Sequence, residues 1–163
     1  STQKNFHYCP YLYGFSNYAR NNFKEFFLTY CNVLDLSGKG PFGTHLGGTG
    51  IAVSKVSKNI ELAIEYAHWI ASSDCQKNIF YKSGGQPANA IAWQDKAINL
   101  ETNNFFTNTR LTLDLAWVRP RHNGYMEFQD EAGNIINDYL KSNIKEEVVC
   151  KKLCAIYKES FRN

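Results

Sequence analysis

The sequence predicts a helix-dominated α/β chain in which only a few strands precede a long helical run. Two observations carry this. Residues 26–34, rich in apolar, aromatic and β-branched side chains, and Ile51-Ala52-Val53, behind a cluster of glycines, read as short buried strands. From Ile60 onward apolar residues recur three and four apart, and cap and stop residues punctuate the pattern, as in consecutive amphipathic helices.

Taken in order, residues 5–20 are crowded with Phe6, Tyr8, Tyr11, Tyr13, Phe15 and Tyr18. Pro10 and Gly14 interrupt them, so an irregular segment or a short strand is expected. Residues 26–34 read as a strand and 37–41 (Ser37, Gly38, Lys39, Gly40, Pro41) as a loop. Gly43, Gly47, Gly48 and Gly50 then lead into the short strand Ile51-Ala52-Val53. Asn59 is placed to cap a helix whose apolar face is Ile60, Ala63, Ile64, Ala67 and Ile70. Ser73 and Gln76 form a capping-box pattern for a short second helix, which Gly84, Gly85 and Pro87 end. Residues 90–98 and 104–116 are further helix candidates. Pro120 forces Arg119 out of helix. Residues 124–140 carry Phe128, Ala132, Ile135, Ile136 and Tyr139 at helical spacing, and Asn143 with Glu146 caps a last helix facing inward through Val149, Leu153, Ile156 and Tyr157. A complete α/β domain alternates strands and helices throughout, so this order reads as part of something larger.

Composition narrows the function. The chain is 44% hydrophobic and 15% aromatic, which describes a packed globular protein; rings of this kind fill cores and also form platforms for sugars and bases. The formal net charge of +3, with no basic stripe, argues against a nucleic-acid partner. No stretch has the apolar length to span a bilayer, and no basic-then-apolar leader opens these residues. The five cysteines cannot all pair within one chain. Cys150 and Cys154, four apart on a helix, have poor disulfide geometry, so buried free thiols are expected.

Candidate chemistry is sparse. His7, His45, His68 and His122 are scattered without metal-ligand spacing, so no metal and no cofactor are expected. Gly47-Gly48-Thr49-Gly50 enters a strand, the reverse of a phosphate loop; its use is close backbone approach by another strand or by a ligand. The most informative string is Arg119-Pro120-Arg121-His122-Asn123-Gly124-Tyr125. It gathers two guanidiniums, an imidazole, an amide and a phenol in one turn before a helix. Arginine forks suit carboxylates, phosphates and hydroxyls. A surface loop with solvated arginines is the plainer alternative.

Several strings together resemble the family 1 extracellular solute-binding proteins, the sugar receptors of ABC importers. Leu46 to Ser54 followed by Ser57-Lys58-Asn59 is similar to the family's lobe-crossing strand and helix start. Ala67 to Ser72 with Gln76 resembles its following helix pair, Gly84-Gly85-Gln86-Pro87 its cleft-edge loop, and Arg119 to Tyr125 with Phe128-Gln129 a string of one branch. The resemblance implies a partial type II periplasmic-binding-protein-like fold lacking most of both lobe sheets. Residues 1–163 would be a C-terminal fragment, with 46–88 a first-lobe piece and 89–163 second-lobe helices. It implies a binding protein with no catalytic residues. Its ligand would be a carbohydrate or related small solute, and its partner an ABC permease. The intact protein would be periplasmic or extracellular and membrane-tethered. By the same resemblance Gly47 and Gly48 are backbone near the ligand cleft, Gln86 and Pro87 belong to its edge, and Arg121 and Tyr125 are ligand contacts. Arg119 is a ligand contact or a lobe–lobe ion-pair residue. Self-association of the fragment is also expected.

Two other classes stay open. A glycosidase would need two carboxyl groups facing each other across a cleft, with Glu127 and Asp130 nearest the arginine string. A helical protein-interaction domain would show a large apolar patch and no concave pocket.

Overall fold

From Ile60 onward the expected spacing becomes helix, whereas the expected strands do not pair. The structure, a computed structural model, describes residues 8–9, 12–35 and 38–162. Phe6, His7, Pro10, Tyr11 and Ser37 lie outside the described residues. A 3₁₀ turn, Ser16–Ala19, precedes the helices. They are α1 (Ile60–Ala71), α2 (Ser73–Cys75, continued by a π-helical turn Gln76–Phe80), α3 (Ala90–Trp93) and α4 (Lys96–Glu101). After them come α5 (Phe105–Asp114), α6 (Tyr125–Leu140) and α7 (Glu146–Glu159), which closes in a 3₁₀ turn, Ser160–Arg162.

Capping explains where the boundaries depart from expectation. Ser72, not Ser73, caps α2: its Oγ accepts from the Cys75 N–H at 3.3 Å. Gln76 is therefore not a capping-box partner. It is buried, its Nε2 donates to the Ile70 carbonyl at 2.7 Å, and its Oε1 accepts from the Ala88 N–H at 2.8 Å. The helix expected over 90–98 is two helices, because the Asp95 carboxylate accepts from the Ala97 and Ile98 N–H groups at 3.0 and 3.1 Å and starts α4 afresh. Asn103 and Asn104 take left-handed φ values of 49° and 60°, so α5 begins at Phe105. Lys145, without a side-chain cap, precedes α7, and Asn143 does not cap it.

No strand forms among the described residues. One isolated parallel bridge joins His45 and Trp117, with the Leu46 N–H donating to the Trp117 carbonyl at 2.8 Å and the Trp117 N–H to the Thr44 carbonyl at 2.9 Å. Over 26–34 the expected strand is replaced by a chain segment that finds its partners on α5. The Val33 N–H donates to Thr112 Oγ1 at 3.0 Å, Asn32 Oδ1 accepts from Thr112 N and Oγ1 at 2.9 Å each, and Asn108 Nδ2 donates to the Tyr30 carbonyl at 3.2 Å. Polar side chains of a helix do here what a neighbouring strand would do. Residues 49–54 likewise form no strand, and Ile51 is exposed.

The chain divides into two compact units, Ser1–Trp117 and Val118–Asn163. Residue 88 lies within the first unit. The Trp93 Nε1–H donates to the Pro87 carbonyl at 2.7 Å, and the Gln76–Ala88 bond also holds that point inside the first unit. The first unit's core is Ala19, Tyr81, Ala92, Trp93, Ile98, Phe105 and Phe106, with Tyr30 packed on it. Its rings meet edge to face: Phe105 and Phe106 at 5.0 Å, Trp93 and Phe106 at 5.0 Å, Tyr30 and Phe105 at 4.8 Å. By contrast α1 has no buried residue, and Ile60, Leu62, Ile64, Tyr66 and Trp69 are exposed on it. In the second unit α6 packs on α7, burying Tyr125, Ala132, Ile135 and Val149. The cysteines depart from expectation too. Only Cys75 is buried; Cys9, Cys31, Cys150 and Cys154 are exposed.

Candidate functional site

The 119–125 turn at the head of the second unit is held from below by an aromatic cluster. His122 stacks on Phe161, with centroids 3.9 Å apart and planes at 16°, and meets Tyr125 and Tyr157 edge-on. Ser160 Oγ donates its one proton to the Tyr157 carbonyl at 2.7 Å. It must therefore accept from His122 Nε2, 2.8 Å away, which fixes a proton on that nitrogen. Gly124 has a φ of 94°, and a Cβ there would run into the Ser160 carbonyl. Only glycine lets the turn sit this close to the end of α7.

On this base the two arginines differ. Arg119 Nη1 donates to Gln129 Oε1 at 3.0 Å, one turn into α6, so it braces the turn. Arg121 is exposed and has no hydrogen bond or ion pair among the described residues. Its guanidinium is available to a carboxylate, a phosphate or a pair of hydroxyls. Tyr125 is not an open platform: the ring is 8% exposed and lies against His122 and Phe128, both at 5.7 Å. Stacking a sugar on it would require the turn to lift. Glu127 and Asp130 are both exposed on α6, on one helix and not across a cleft.

The other candidates lie in the first unit. Gln86 clips the aromatic N-terminal segment to the 83–87 loop, its Oε1 accepting from the Ser16 N–H at 2.7 Å and its Nε2 donating to the Gly14 carbonyl at 2.9 Å. Pro87 is fully buried. Gly47 and Gly48 are exposed, and nothing lies within 4 Å of a Cβ built on either, so no strand of the described residues makes the close approach considered for them.

Sequence reasoning missed a linked set in this unit. Arg20 Nη2 donates to the Tyr81 and Gly85 carbonyls, both at 3.1 Å, and the guanidinium lies 4.1 Å from the Tyr81 ring centre. The Tyr81 hydroxyl donates to Glu101 Oε2 at 2.9 Å. Burial, reinforced by that hydrogen bond, pushes the Tyr81 hydroxyl up to about 12. Lys77, 2.9 Å from the Asp95 carboxylate, holds that carboxyl below its ordinary value, helped by the α4 amides. A shallow depression of about 400 Å³ is lined by Gln94, Lys96, Asn99, Leu100, Asn104 and Thr107. Asn99 at its floor is fully engaged in internal bonds. No motif marked these residues in advance.

Among the described residues no group of three or more His, Cys, Asp or Glu side chains is placed to hold a metal ion, and no helix is long and apolar enough to cross a membrane. Comparison with protein-family models, curated proteins and solved structures finds no match to this chain.

Proposed function

We propose that this chain is part of the substrate-binding component of an ABC importer. It would capture a sugar or related small solute outside the cytoplasm and deliver it to a membrane permease, acting as a binding protein and not as an enzyme. The observation that carries this reading is the guanidinium of Arg121, without a partner among the described residues, on a turn braced by Arg119 and His122. A cation with spare donors on a braced turn is what recognition of hydroxyls or a carboxylate uses. Arg119 then serves as a brace, Tyr125 as packing beneath the turn, and Gln86 and Pro87 as the frame of their loop. The partial type II fold belongs to the same proposal. Unpaired extended segments and an apolar α1 with no buried residue are what lobe pieces look like apart from their sheets.

Titration calorimetry with sugars, sugar acids and polyols tests it. A saturable ligand is expected. Arg121→Ala should keep the fold, because the side chain is exposed. It should weaken binding by about 1.5–3 kcal/mol, the scale of a charged hydrogen bond, or roughly ten- to a hundredfold. Equal affinities remove Arg121 from the site, and no saturable solute removes the proposal. The exposed apolar side chains of α1 favour a second reading, a helical protein-interaction domain, which that last outcome would leave standing.

A further inference from the structure

Two of the four exposed cysteines, Cys150 and Cys154, lie one helical turn apart on α7. Side chains four apart on a helix share a face, with Cβ atoms about 5–6 Å apart. A disulfide wants its Cβ atoms about 3.8 Å apart, so this pair resists internal oxidation while the helix is intact. A cation between two sulfurs needs a wider span. Thiolate–metal bonds of roughly 2.3 Å laid in a line set the sulfurs roughly 4.6 Å apart, within reach of the two side chains without unwinding α7.

We propose that Cys150 and Cys154 form a two-thiolate site for a soft cation that accepts linear coordination, the cuprous ion being the type case. Thiolate sulfur selects ions of this class. The absence of a third metal-ligating side chain, among the described residues, argues against tetrahedral or octahedral ions, which need more donors. The step balances without an oxidant. Two thiols release two protons, one cuprous ion binds two sulfurs, and the complex carries a single negative charge. Lys151 and Lys158, three before and four after Cys154, are exposed on the same side of α7 and balance Glu146 and Glu147, four and three before Cys150. Cys9 and Cys31 are also exposed but lie outside any helix, and Cys75 is buried, so none of the three reproduces the arrangement.

The test is an anaerobic titration of the reduced full chain with cuprous ion against a competing chromophoric chelator, with molecular mass followed in parallel. One ion per chain on a species with an unchanged number of chains is expected. Cys150→Ser and Cys154→Ser should each lower the affinity at least a hundredfold, while helicity stays the same and a Cys9→Ser/Cys31→Ser double variant binds as the parent does. Undiminished affinity in either single variant, or an ion bound only as a bridge between two chains, overturns the proposal. Neither result bears on solute capture at Arg121.

Discussion

Asn99 joins α3, α4 and α5 through one side chain, and its removal should be among the most damaging single changes in the first unit. It is 6% exposed. Its Nδ2 donates to the Trp93 and Asp95 carbonyls at 2.8 and 2.9 Å, and its Oδ1 accepts from Thr107 N and Oγ1 at 3.0 and 2.9 Å. Truncation to alanine does not cost four equal bonds. The Asp95 carbonyl keeps the Asn99 N–H at 3.1 Å, and Thr107 is exposed, so water can replace its partners. The Trp93 carbonyl, whose bond to Asn99 is buried, is left stranded. Stranding one buried acceptor costs about 1–3 kcal/mol and each of the two replaced Thr107 bonds about 0.5–1 kcal/mol, so Asn99→Ala should destabilise by about 2–5 kcal/mol. Urea unfolding followed by tryptophan fluorescence measures it cleanly, because Trp69, Trp93 and Trp117 all belong to the first unit. A loss under about 1 kcal/mol would refute the idea that this side chain joins the three helices.

Other outcomes follow from the same structure. Tyr81 keeps its proton up to about 12 in the fold, against 10.0 ordinarily, so above pH 10 the unfolded chain loses a proton that the folded chain retains. Stability should therefore fall between those two pH values and not below them, and Tyr81→Phe should remove that part of the alkaline unfolding curve. Asp95→Ala takes away the α4 cap and the Lys77 pair and should cost about 1–2 kcal/mol at neutral pH, read by thermal unfolding. Its carboxyl is held below 3.8 in the fold, so the contribution is present above that value and disappears as acid protonates the folded form; a parent and variant that converge at low pH confirm the sign. The uncovered side chains of α1 should drive self-association, which light scattering would detect and a Leu62→Glu/Trp69→Glu pair should reduce; a clean monomer with low dye binding contradicts this.

Long periodic segments were legible. The starts of α1 and α6 and the inward face of α7 follow from spacing, because three- and four-residue recurrence depends only on the helix's own geometry. What failed depended on distant partners. Residues 26–34 have strand composition, but composition does not say whether an extended chain will meet another strand or the polar side chains of α5. Asp95 reads equally well inside a helix or at its start, and only the observed break decides between them. The 119–125 turn is legible as a concentration of polar groups, but the burial of Tyr125 is set by the aromatic cluster around His122, which draws Tyr157 and Phe161 from the other end of the unit. Arg20 gave no local sign of its role, since its carbonyl partners lie more than sixty residues away.

The way residues 14–33 are fastened has a consequence for the order in which the first unit assembles. Among the described residues the segment's side-chain hydrogen bonds run forward to groups 61 to 84 positions later in the chain: Ser16 and Gly14 to Gln86, Arg20 to Tyr81 and Gly85, Tyr30 to Asn108, Asn32 to Thr112, Ala19 to Asn103. The short helices between Ile60 and Asp114 close on contacts that are mostly local, so they can form while the leading segment is still loose. Ribosomes deliver the chain in the opposite sense. Residues 14–33 are made before the groups that hold them and wait, without those partners, until the Thr112 region has been made. During that interval Ala19 and Tyr30 lack the core they pack on, and that is when binding by a chaperone would do most for its yield.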